Sequence, residues 1–145
     1  ASRWALTTVP GDEVSAQIMG GTRYRTPEPG QRMLLVGDPA SAPAMVEAVE
    51  AADASCRIIV VLQSGDDSPP LPDREYRLIR VPSEDPAALA DAVQEALGRA
   101  RPDWAWVALE SAATKSIRRL VGSAGVPRRA IQAQAYWIRG RAMGT

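Results

Sequence analysis

A short turn, Gly37-Asp38-Pro39-Ala40-Ser41-Ala42-Pro43, follows an apolar run and opens a helical pattern. A glycine there lets backbone come close to a phosphate, and a helix start offers free N–H groups with a partial positive charge. The turn is not a G-x-G-x-x-G fingerprint, and a tight bend before a helix is the plainer reading. Lys115, Arg118 and Arg119 are spaced i, i+3, i+4, which places all three on one flank of a helix. Such a flank can hold a phosphate or another anion, or serve simply as the wet side of an amphipathic helix. Arg128 and Arg129 lie just beyond and could widen it. Tyr136-Trp137-Ile138-Arg139-Gly140 sets two aromatics beside a guanidinium. Adjacent aromatics can stack on a flat ring, or cover the end of a core from opposite faces of a strand. Asp66-Asp67 could bind a ribose diol, although Gly-Asp-Asp-Ser-Pro-Pro is also an ordinary loop.

Composition narrows the chemistry. The chain has no histidine and one cysteine, Cys56. That removes Ser-His-Asp hydrolysis, histidine-ligated haem, an internal disulfide and a cysteine cluster for zinc. Cys56 reads as a small buried apolar residue. Hydride transfer survives these deletions, because nicotinamide and flavin carry their own reactivity. Seventeen basic residues balance seventeen acidic ones, which argues against nucleic acid or anionic lipid as a bulk electrostatic partner. No apolar run approaches the roughly 20 residues of a membrane span, and the N-terminus has no signal-peptide pattern. A cytoplasmic protein is the default expectation.

The elements that must position these residues can be read from periodicity. At 145 residues a single domain with a real core is expected. Val14, Ala16 and Ile18 alternate, which suggests a short strand. Thr26-Pro27-Glu28-Pro29-Gly30 reads as a linker. Strands are then predicted at Met33–Val36, Arg57–Leu62, Tyr76–Val81, Trp104–Leu109 and Ala130–Trp137. Between them lie three helical stripes. The first is Ala42, Met45, Val46 and Val49, with Pro43 in the first turn. The second is Leu89, Val93, Ala96, Leu97 and Ala100, after the acidic Glu84-Asp85 and Pro86. The third is Ala113, Ile117, Leu120, Val121 and Ala124. Trp104 and Trp106 share a strand face and read as packing. Strands alternating with helices predict an α/β fold, a doubly wound, mostly parallel sheet of about five strands with helices on both faces. Ligands in such sheets lie beyond the carboxyl ends of the strands. That gathers Gly37-Asp38, Gln63–Asp67, Pro82–Glu84, Glu110-Ser111 and Trp137–Arg139 along one edge.

Taken together, Leu-Leu-Val-Gly-Asp … Pro, then Trp-Val-Ala-Leu-Glu followed by a helix with Lys and Arg, then Gly-Val-Pro … Tyr-Trp-x-x-Gly, resembles the siderophore-interacting protein family. Its members are flavin-linked, NAD(P)H-dependent ferric-siderophore reductases. The resemblance covers about residues 31–141, and implies a ferredoxin-reductase-like NAD(P)H-binding domain at 31–145. Residues 1–30 resemble the tail of the family's flavin-binding barrel plus a linker; the rest of that barrel, with its Arg-x-Tyr flavin motif, has no counterpart. The family usually carries Gly-Asp-Glu-Thr at the first turn, glycine before the glutamate of the fourth strand and glycine before Tyr-Trp. Here those places hold Pro39-Ala40, Leu109 and Ala135, with Ser41 as a substitute hydroxyl. The resemblance implies that Gly37, Asp38, Ser41 and Pro43 meet the phosphates of NADPH or NADH. It puts Glu110, Lys115 and Arg118 beside the nucleotide, Tyr136 and Trp137 near the flavin, and Arg139 on the anionic substrate. FAD would be held only with the barrel, present on this chain or a partner, and the ferric siderophore would be the substrate. No catalytic side chain and no metal ligand is implied. Two other expectations stand beside this one: a non-catalytic module that binds a siderophore or a partner protein, and a stand-alone nucleotide-binding protein.

Overall fold

In the computed structural model, residues 7–13, 25–64, 71–82 and 84–141 are described. The expected strand at Val14–Ile18, the pair Asp66-Asp67 and the segment at Ala1–Trp4 lie outside them. The five strands are β1 (Arg32–Gly37), β2 (Arg57–Gln63), β3 (Arg77–Val81), β4 (Trp104–Glu110) and β5 (Ile131–Trp137). They form one all-parallel sheet in the order β3-β2-β1-β4-β5. The helices are α1 (Ala42–Ala51), α2 (Pro86–Arg99) and α3 (Ser111–Ser123). The α/β architecture read from periodicity is the one observed, and each of the five strands predicted from Met33 onward matches an observed one to within a residue at either end.

Two cores flank the sheet, because side chains alternate along each strand. On one face Leu34, Val36, Val61, Val107 and Leu109 pack against Leu89 and Val93 of α2 and Ile117 and Val121 of α3. On the other, Met33, Leu35, Val60, Trp104 and Trp106 pack against Met45, Ala48 and Val49 of α1. Both tryptophans therefore lie on one side, as their spacing requires. The helix stripes agree with expectation apart from Val46, which is half-buried while Ala48 takes the interior place, and Ala100 and Ala124, which are the caps that follow α2 and α3. Cys56 is buried beside the start of β2, where its thiol donates to the Glu28 carbonyl.

The chain changes course at β1–α1 under a steric condition. A Cβ added to Gly37 would collide with Met45 Sδ and Ser41 Oγ. Glycine is needed at this bend so that α1 can close on the sheet. At the far end of α3, Gly125 holds φ +89°, the left-handed conformation that ends a helix. Gly37→Ala should lower stability by about 1–3 kcal/mol, the cost of overpacking a filled core, read as a lower urea midpoint with an unchanged slope.

Candidate functional site

The carboxyl ends of β1, β4 and β5 meet along one edge of the molecule. Around a hollow of ≈ 760 Å³ there stand Asp38, Glu84, Glu110, Trp137 and Arg139, over a floor that includes Leu89, Ala113 and Ile117. Segments that sequence reading had placed on a shared edge thus surround one space. Leu109, which adds a side chain at this rim, is fully buried and points into the core beneath. Its register partner on β5 is Ala135, so the two departures from family glycines face each other across adjacent strands.

Asp38 ties the site together. It is 5% exposed. Its Oδ1 accepts from the amides of Ala40 and Ser41 at 3.0 and 3.2 Å, and its Oδ2 accepts from the Trp137 indole N–H at 2.7 Å. Ser41 is wholly buried; its hydroxyl accepts from the Asp38 amide and donates to the Asp38 carbonyl. The Asp38 side chain and the Ser41 hydroxyl therefore knot the turn from within. Pro43 is exposed in the first turn of α1 and, like Gly37 and Ser41, is not part of the wall of the hollow.

Glu110 does the same work for α3. Its Oε2 accepts from the amides of Ala112 and Ala113 at 2.6 and 3.2 Å, and its Oε1 from the Arg139 amide at 3.4 Å. Desolvation opposes its charge, but the amides of Ala112, Ala113, Arg139 and Ser111 outweigh it and hold the carboxyl below the usual glutamate range. The strand-to-helix junction is clamped from the other side by Thr114, whose hydroxyl accepts from the Leu109 amide and donates to the Leu109 carbonyl. Asp85 caps α2 through the Ala87 amide.

The aromatic pair separates. Glu110 aligns with Trp137 while Leu109 aligns with Ala135, so β5 carries one extra residue, Tyr136, at this point. Such a bulge re-aims side chains. Tyr136 turns away from the hollow and meets Trp106 edge-on at 6.0 Å and 80°, within the α1-side core. Burial, with the nearby Glu47 charge, pushes its hydroxyl pKa up. Trp137 stays at the rim, and the Arg139 guanidinium lies 5.8 Å from its ring centre, close enough for a cation–π contact. Arg139 also reaches Glu84 at 3.2 Å, with both side chains well exposed.

Lys115, Arg118 and Arg119 are exposed, as their spacing requires, but the side of α3 that borders the hollow is Ala112, Ala113 and Ser116. Reading the helix against Glu110 rather than against its own apolar stripe would have shown this. Glu84, which the parallel topology places on this edge just past β3, stands on the wall of the hollow. Among the described residues no group of three or more His, Cys, Asp or Glu is arranged to hold a metal ion.

Removing the Asp38 carboxylate strands the Ala40 amide and the Trp137 indole N–H, while the Ser41 amide keeps the Asp38 carbonyl. Asp38→Ala should cost about 1–3 kcal/mol and broaden the near-ultraviolet dichroism of tryptophan as Trp137 loses its anchor. Glu110→Ala should cost about 1 kcal/mol, the ordinary loss of a helix cap. Because the folded-state pKa of Glu110 is lowered, its contribution is complete above the unfolded glutamate's titration range. It is lost as pH falls through the folded-state value. The stability gap between wild type and Glu110→Ala should therefore close in acid, as measured by urea unfolding across pH.

Comparison with known proteins gives this geometry a context. The family model described as "Siderophore-interacting protein" matches residues 30–140. The mycobactin import ATP-binding/permease protein IrtA of Mycobacterium tuberculosis is 39% identical over 153 residues, covering 100% of this chain and 18% of that protein. The protein of the same name from Mycolicibacterium smegmatis is 36% identical over 152 residues, covering 100% and 17%. The chain thus spans less than a fifth of these relatives. Among solved structures, the siderophore-interacting protein SipS from Aeromonas hydrophila superposes with a TM-score of 0.61 at 22% identity, covering 79% of this chain and 49% of that one. The siderophore-interacting protein from Acinetobacter baumannii gives 0.65 at 15% identity, covering 89% and 58%. The ferredoxin reductase of carbazole 1,9a-dioxygenase gives 0.51 at 18% identity, covering 79% and 35%. These three likenesses establish a shared fold. With an α/β sheet of this order and a family match across most of its length, the chain belongs to the siderophore-interacting protein family.

Proposed function

We propose that this chain handles ferric siderophores as the nicotinamide-nucleotide side of a flavin-linked reductase. The observation that carries the reading is the rim hollow itself. Three strand ends bring a fixed tryptophan, a guanidinium and two accessible carboxylates around one open space. Support also comes from the family match and from relatives named for mycobactin import.

The residues present suit one end of the nucleotide better than the other. The apolar floor of Leu89, Ala113 and Ile117 suits a flat ring, and Glu84 and Glu110 suit hydroxyl donors of a ribose. A diphosphate on the helix starts is a poor fit. The first amides of α3 are taken by Glu110, and the turn amides of Ala40 and Ser41 just before α1 are taken by Asp38. Phosphates would run out of the hollow past Arg139, the one cation on its wall among the described residues. A bound nicotinamide would supply the hydride for reduction of a flavin held by a barrel domain, and thereby the electrons for ferric iron. This chain's own part is positional. Asp38 holds the Trp137 ring, Glu110 and Thr114 fix the start of α3, and Leu109 fills the core beneath.

A second reading has a specific observation behind it. Carboxylates filling the start of α3 and the turn ahead of α1 suit a module that keeps the fold and binds a siderophore or a partner protein without a nucleotide. Titration calorimetry with NADPH and NADH separates the two. Micromolar binding, weakened about tenfold in Arg139→Ala by loss of one charged contact, supports the reductase side. Silence of both nucleotides at millimolar concentration overturns it in favour of the module. Lys115→Ala with Arg118→Ala should leave NADH binding unchanged, because neither side chain borders the hollow. A selective loss of NADPH binding in that double variant would assign them to the extra phosphate.

A further inference from the structure

The pole opposite the rim carries a second, larger hollow of ≈ 940 Å³, at the amino ends of β1, β2 and β3. Its wall has four arginines, Arg32, Arg57, Arg74 and Arg77, against one carboxylate, Glu75. The rim hollow has the reverse balance, with three carboxylates against Arg139. The walls of the two hollows therefore have opposite charge balance.

The four arginines are not equivalent. Arg74 is spent on structure, because its guanidinium donates to the carbonyls of Val49, Ala52 and Asp53 and closes the end of α1. Arg32 is steadied by Asp103, whose Oδ2 accepts from both its amide and its Nε. Those contacts, led by the Arg32 amide, keep the Asp103 carboxyl below its usual range, so it stays charged. Arg77 reaches Glu95 at 3.6 Å, an acid already shared with Arg99. No described residue accepts a hydrogen bond or an ion pair from the Arg57 guanidinium.

Register makes this arrangement specific. Arg32 and Arg57 are direct partners on neighbouring parallel strands, and Arg77 is partnered with Ile59, two residues beyond Arg57. Alternation therefore puts all three stems on the face that carries α2 and α3. Like charges set directly across a sheet oppose folding. Here one member of the pair is neutralised and held, and the other is left bare beside an open hollow.

We infer that this pole binds a compact, multiply charged oxyanion, with Arg57 as the principal contact and Arg32 and Arg77 as its flanking partners. The shared chemistry is a cluster of anionic oxygens, supplied by phosphates or by carboxylates. A planar guanidinium recognises either in a forked, two-bond manner.

Calorimetric titration at low ionic strength with pyrophosphate in one arm and a tricarboxylate in the other tests this and identifies the source. At least one of them should bind the intact chain. Affinity should fall about tenfold in Arg57→Ala and partly recover in Arg57→Lys, which restores charge without the fork. Arg139→Ala, at the far pole, should leave it unchanged. Arg57→Gln should raise the thermal midpoint of the anion-free protein, because it removes an unpaired like charge, and should abolish the further rise that the anion gives wild type. Absence of binding in both arms, or equal loss in Arg57→Ala and Arg139→Ala, overturns the site.

Discussion

A buried carboxylate must find donors, and Asp38 finds three. Two come from the turn that starts α1 and one from an indole 99 residues later. That single requirement joins the first strand–helix unit to the last strand across β4. It sets where Trp137 stands, and through Trp137 the position of Arg139 over its ring. The rim hollow exists in its present shape because the acid at its back cannot be left unpaired.

The repeated device at this edge is an acid on each helix start. Asp38, Asp85 and Glu110 each take amides from the turn that follows them. In parallel sheets those amides point toward the space where ligands bind. Occupying them internally stabilises the helices and at the same time makes the rim electronegative. The wall of the hollow at the other pole carries mostly arginines.

Much of this was legible in the residues. Strand and helix identities followed from β-branched runs and i, i+3, i+4 stripes, because both faces of the sheet are covered and burial imposes those periods. The parallel topology in turn placed Asp38, Glu84, Glu110 and Trp137 on one edge. What escaped were competitions settled only in three dimensions. Ser41 reads as a phosphate-binding hydroxyl until Asp38 claims it. Lys115 and Arg118 are correctly outward, yet the rotation of α3 about its axis decides which outward flank borders the hollow, and Ala112 and Ser116 win that place. Tyr136 and Trp137 could stack together or lie on opposite faces of a strand, and the structure shows the second, with Tyr136 in the α1-side core and Trp137 at the rim.

That irregularity makes the last strand a phase shifter. Up to Ala135 each β5 residue keeps step with β4; from Trp137 the pairing is offset by one. The layer seen by the ligand edge is thus decoupled from the layer that builds the core. A single-codon insertion or deletion at this spot would exchange which side chains confront the solvent beyond β5 without disturbing Ile131 or Ala133 beneath. Length variation at one position, rather than substitution, is therefore the route by which this scaffold can retune what it presents.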